Sequence, residues 1–109
     1  MVAVMTKASL PPARERLVKL MQEVNFGRIL EVPVRGGEPV IDRPLRVVRE
    51  IKFGGENGPR PEATKLDFTL KAPVLELFTH MEAIGDGVIP CIEIQRGLPF
   101  RMTVEEVCA

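Results

Sequence analysis

The chain has 109 residues, 45% of them apolar and 28% charged, with no net charge. A chain of this length buries roughly two thirds of the surface its unfolded form exposes, so one core can form without disulfide or metal staples. No apolar run reaches the about 18 residues that a membrane helix needs, Met1–Met5 is far shorter than the central region of a signal peptide, and the balanced charge argues against a surface dominated by basic contacts to nucleic acid.

Taken in chain order, residues 1–8 read as a loose start or an edge strand. Ser9 is a good helix N-cap, and Pro11 and Pro12 suit a first helical turn, where backbone N–H groups lack partners anyway. Ala13, Leu17, Leu20, Met21 and Val24 then fall on one stripe, which predicts a helix from about Leu10 to Asn25, ended by Asn25 or Gly27. Leu30, Val32 and Val34 alternate with Glu31, Pro33 and Arg35, as in a strand with one buried face. Pro33 cannot donate to a ladder, so this strand is expected at an edge or bulged there. Gly36-Gly37 turns the chain, Pro39-Val40-Ile41 returns as a short strand, and Pro44 breaks it. Leu45 to Phe53 reads as a third strand, with Leu45, Val47, Ile51 and Phe53 on one face together with Arg49. Three glycines and two prolines between Gly54 and Pro61 make a loop.

Leu66, Phe68 and Leu70 suggest a short strand, with a helical start as the competing reading. Val74, Leu77, Phe78, Met81 and Ile84 predict a second helix from about Ala72 to Ile84, stopped by Gly85-Asp86-Gly87. A strand over Val88–Gln95, a turn at Arg96-Gly97 and a last strand over Leu98–Glu105 complete the chain before a tail at 106–109.

Sliding the chain by 60 residues superposes Leu17 on Leu77, Met21 on Met81, Gly27 on Gly87, Ile29 on Ile89, Gly37 on Gly97 and Pro39 on Pro99. Val24, Val32 and Val34 meet Ile84, Ile92 and Ile94. Any two helix–strand units share an apolar phase, so the apolar matches are partly forced. The glycines and prolines are not, because they fix backbone geometry. Two repeats are too few for a solenoid. The expected fold is therefore α+β, an antiparallel sheet with two helices on one face. It is one domain over 1–109, made of units at about 10–53 and 64–105 in pseudo-twofold arrangement and joined by a glycine-rich linker at 54–61.

Leu20-Met21-Gln22-Glu23-Val24-Asn25-Phe26-Gly27-Arg28-Ile29, followed by Val34-Arg35-Gly36-Gly37-Glu38-Pro39-Val40, resembles the YezD-like small bacterial proteins. The resemblance covers residues 17–42. It implies a helix, an aromatic-Gly-x-aliphatic step and a hairpin, and it brings no assigned chemistry. The second unit departs from it, with Asp86 in the place of Phe26.

Chemistry-bearing patterns are sparse. The glycine-rich loop matches neither the phosphate-loop nor the dinucleotide spacing, although Arg60 and free backbone N–H groups could hold an anion. His80, the one histidine, has no partner at i+4 for a zinc site and occupies the place of Leu20. Cys91 and Cys108 fit no metal or redox spacing and read as reduced thiols of a cytoplasmic protein. Glu105-Glu106 lies near a tail, where a desolvated catalytic acid is not expected.

Charge is divided along the chain. Residues 1–60 hold 11 Lys/Arg against 7 Asp/Glu, a net +4, and residues 61–109 hold 4 against 8, a net −4. The halves could attract each other, two chains could dock head to tail, or the split could be chance. The candidate binding residues are Arg43, Arg46, Arg49, Lys52, Asn57 and Arg60. The favoured expectation is a non-catalytic interaction or regulatory module, a homodimer able to take a protein partner, without cofactor, metal or membrane contact. The alternatives are a nucleic-acid-binding module using the basic strand, and a small-ligand domain with its site near the glycine-rich loop.

Overall fold

The computed structural model describes residues 10–55 and 70–106. Two helices, α1 (Pro12–Val24) and α2 (Ala72–Ile84), lie on one face of a five-stranded antiparallel sheet. The strands are β1 (Gly27–Arg35), β2 (Glu38–Pro39), β3 (Arg46–Arg49), β4 (Gly87–Gln95) and β5 (Leu98–Thr103). Their order is β2-β1-β4-β5, with β3 also pairing β1. Ser9, the strand expected at 66–70 except for Leu70, and the loop beyond Gly55 lie outside the described residues.

The two helices have the bounds of one helix moved by 60 residues. α1 starts two residues later than its apolar stripe suggested. Proline at 12 drives the residue before it out of helical space, and Pro11 is extended, with φ −55° and ψ 150°. Both helices end on the same uncommon turn. Asn25 (φ 62°, ψ −58°) and Gly85 (φ 71°, ψ −81°) each donate their N–H to the carbonyl of Met21 or Met81 at 3.0 Å. Each also sits at the centre of a three-residue γ-turn, closed by Phe26 N–H to Val24 O at 2.7 Å and by Asp86 N–H to Ile84 O at 2.9 Å. This form of γ-turn is rare and strained. Gly27 and Gly87 are thus not the helix stops. They open the strands.

The long β1–β4 pairing forms the centre of the sheet, from Gly27↔Ile94 to Val34↔Gly87. The 60-residue shift exchanges its two sides about a point between Leu30 and Glu31. Two backbone hydrogen bonds obey the same exchange: Gly37 N–H to Gly85 O at 2.8 Å, and Gly97 N–H to Asn25 O at 2.9 Å. The hairpin turn of each unit closes the helix end of the other. Both hairpins turn on two left-handed residues, Gly36-Gly37 and Arg96-Gly97, the form that matches strand twist.

The core lies between the helices and one sheet face. Leu17, Met21, Ile29, Met81, Ile89, Ile92 and Ile94 are fully enclosed there. Inward residues are Ile29, Val32 and Val34 on β1, and Ile89, Ile92 and Ile94 on β4. The alternation therefore slips by one residue in the middle of both strands. The ladder skips Glu31↔Pro90, where Pro90 has no N–H to give, and Glu31 takes a φ of 52°. Ile29 occupies the core place expected for Leu30, which is half-buried on the other side of the slip.

Pro33 lies on an interior strand rather than an edge. Its carbonyl accepts from Val40 N–H at 2.8 Å, so its missing donor points to the side where β2 has ended and β3 has not begun. Between them the chain detours through Asp42-Arg43-Pro44, while Ile41 and Leu45 pack half-buried against the core. β3 is also shorter than expected. It reaches the first residue of β1 at Arg49↔Gly27, adds Glu50 N–H to Phe26 O at 3.0 Å, and then runs past the start of β1. Ile51 and Phe53, expected on the buried face, are 61% and 100% exposed.

Arg14 ties α1 to both units. Its guanidinium meets Glu38 at 2.8 Å and Glu82 at 3.0 Å and lies over the Phe78 ring, 4.9 Å from the centroid. Burial works against its charge, but hydrogen bonds to the two carboxylates and their proximity raise its pKa above the ordinary arginine value.

Candidate functional site

The two units differ most along the outer side of their central strands. In the first unit, β3 covers Gly27–Leu30. Its backbone comes so close that a Cβ on Gly27 would collide with the Val48 carbonyl oxygen, and would lie 3.0 Å from Arg49 Cα. Gly27 itself has a φ of 152°, which side-chain-bearing residues rarely adopt. In the second unit, β5 pairs β4 only from Gln95 back to Cys91. Among the described residues no strand covers the outer side of Gly87–Pro90. A Cβ on Gly87 would meet only Ile84 Cγ2, at 3.4 Å.

Extending the Cys91↔Thr103 register would place Val104 opposite Pro90 and Glu105 opposite the enclosed Ile89. At the corresponding place in the first unit stands Val47, opposite Ile29 and itself exposed.

The result is an open cleft of about 940 Å³ between α2 and β5. Leu77, Ile84, Val88 and Met102 contribute apolar wall, and Glu76, Asp86, Glu105 and Glu106 contribute carboxylates. Its basic groups are few and engaged. Arg101 lies 3.4 Å from Glu93 and stacks over Phe100. His80, exposed on the rim, is 3.9 Å from Glu76. Asp86 accepts the Gly36 N–H at 2.9 Å. The cleft thus combines apolar wall with an excess of carboxylates.

The residues singled out in the sequence do not form one patch. Arg43 and Arg46 meet in a second cleft of about 650 Å³, together with Arg35, Glu31 and Asp42, and Arg46 is 3.8 Å from Glu31. Arg49 points elsewhere. Its Nη2 donates to the Glu23 carbonyl at 3.1 Å, placing a cation at the negative end of α1. Lys52 lies beyond the end of β3, exposed, and Asn57 and Arg60 fall outside the described residues. Cys91 pairs Leu30 and Thr103 within the sheet, and its neighbour Ile92 takes the inward place, so the sheet separates it from His80 on α2. Among the described residues no group of three or more His, Cys, Asp or Glu side chains is placed to hold a metal, and no helix is long and apolar enough to cross a membrane.

The α2–β5 cleft escaped the sequence reading because it depends on a strand that, among the described residues, one unit has and the other does not. The available signal was Gly87, a match to Gly27 with no nearby counterpart of Arg-Val-Val-Arg. No family model matches the chain, and no curated protein or solved structure matches it.

Proposed function

We propose that this chain is a non-catalytic interaction module that associates with itself through its sheet edges. The observation that carries the reading is the placement of exposed apolar surface. Among the described residues, the large exposed apolar side chains are Val47, Val48, Ile51, Phe53, Val88, Phe100 and Val104. They fall on β3 and its extension, on β5 and its extension, or on the open half of β4. Unpaired strand edges with apolar side chains are templates for further pairing. The first edge carries Arg46 and Lys52, and the second is followed by Glu105 and Glu106, so unlike edges attract one another.

Light scattering coupled to size exclusion tests this. The mass is expected to rise above that of one chain between low and high micromolar concentration, and to fall back as salt is added. A single-chain mass throughout, at low salt and high concentration, would refute self-association.

A further inference from the structure

The molecule contains a filled version of its own open cleft. In the first unit, an extended segment, Arg46-Val47-Val48-Arg49, lies antiparallel along Gly27–Leu30. Its Val47 stands beside Ile29, and its Arg49 reaches a carbonyl in the last turn of α1. The second unit repeats the receiving surface. Gly87 stands for Gly27, Ile89 for Ile29, and the end of α2 for the end of α1. The segment that would lie on it is missing among the described residues.

We infer that the outer side of Gly87–Pro90 is a strand-docking site for an extended segment of a protein partner with the pattern cationic–apolar–apolar–cationic. This goes beyond self-association and does not depend on it. Two observations support it. The internal template shows what such a surface holds in the first unit. The second is charge: Glu76, Asp86, Glu105 and Glu106 line the cleft on the α2 side, and a segment flanked by cations complements them, while Arg35, Arg43 and Arg46 lie in the second cleft that Gly87 and Val88 also border. In such docking the main chain supplies affinity, and the alternate side chains supply specificity.

The probe is a labelled synthetic peptide with the sequence of residues 44–52, titrated into the full chain and followed by fluorescence anisotropy. Saturable binding that weakens with salt is expected. A peptide with both arginines replaced by glutamate should bind at least about tenfold more weakly, as expected when attraction turns to repulsion at a charged rim. Glu105→Lys/Glu106→Lys reverses the charge of two exposed residues that line the cleft. It should weaken peptide binding at least about tenfold while the circular dichroism spectrum and melting temperature hold. Absence of saturable binding to the full chain overturns the inference, as does binding that this variant leaves unchanged. If the variant abolishes self-association and the peptide does not compete with it, the occupant is a second copy of this chain and the partner assignment falls. If the chain is a single-chain species throughout but the peptide binds and the variant weakens it, self-association fails and the docking site stands.

Discussion

One substitution made at two equivalent positions separates the units most sharply. At Gly27, alanine would place its Cβ against the Val48 carbonyl and 3.1 Å from the Val48 carbonyl carbon. The obstruction is backbone held in a ladder on one side, so β3 must shift as a whole or detach. Overpacking of this kind costs about 1–3 kcal/mol, and an unfavourable backbone conformation adds about 1–3 kcal/mol. A loss of about 2–5 kcal/mol is therefore expected, a large part of the about 5–15 kcal/mol that holds a domain together. At Gly87 the same change meets only the Ile84 Cγ2 methyl, at 3.4 Å, and alanine should stabilise by about 0.4–1 kcal/mol through the unfolded chain. The chain has no tryptophan or tyrosine, so urea unfolding is best followed by far-ultraviolet circular dichroism. The midpoint should fall for Gly27→Ala and hold or rise for Gly87→Ala, with the slope unchanged. Equal shifts for the two variants would refute the argument that β3 is what distinguishes the units.

Two further outcomes follow from the helix ends and the Arg14 cluster. Gly85→Ala should destabilise by about 1–3 kcal/mol, because alanine must adopt the strained turn that Gly85 makes at φ 71°; a melting temperature equal to the parent's would show the turn relaxes freely. Arg14→Ala should cost about 1–2 kcal/mol, combining two partly exposed ion pairs with the stacking on Phe78. The difference between this variant and the parent should shrink in high salt, as screening weakens the pairs in the parent, and a salt-independent difference would assign the loss to packing alone.

The helices were legible because the spacing of Val74, Leu77, Phe78, Met81 and Ile84 serves only one period, and α2 has the bounds that spacing indicates. The repeat was legible through its glycines, although their role was not. The sequence offers Asn25 or Gly27 for the first helix stop and Gly85-Asp86-Gly87 for the second; the stops are turns centred on Asn25 and Gly85, and because these are unlike residues, the letters do not show that they share one backbone shape. The slip at Glu31 was invisible for a related reason, since Leu30, Val32 and Val34 alternate well on paper and Ile29 competes only once Pro90 faces Glu31 across the sheet. Ile51 and Phe53 look inward by parity, but a strand buries only what its neighbour extends under, and β1 begins at Gly27. Arg49 stood out as a cation among apolar residues. Its partner, a backbone carbonyl 26 residues earlier, could be found only after β3 had been laid beside β1.

The paired hydrogen bonds from Gly37 to Gly85 and from Gly97 to Asn25 make each unit the other's terminator. Neither half alone supplies the donor that meets the carbonyl of its own helix cap. A fragment ending within the first unit would lack the turn that closes α1, and the second would lack the one that closes α2. Stability therefore belongs to the mated pair, and the covalent tether between the halves matters chiefly for holding them at high local concentration. The protein is in this sense a two-piece assembly that happens to be encoded in one chain, with β3, the one strand that has no counterpart among the described residues, as the place where the pieces ceased to be interchangeable.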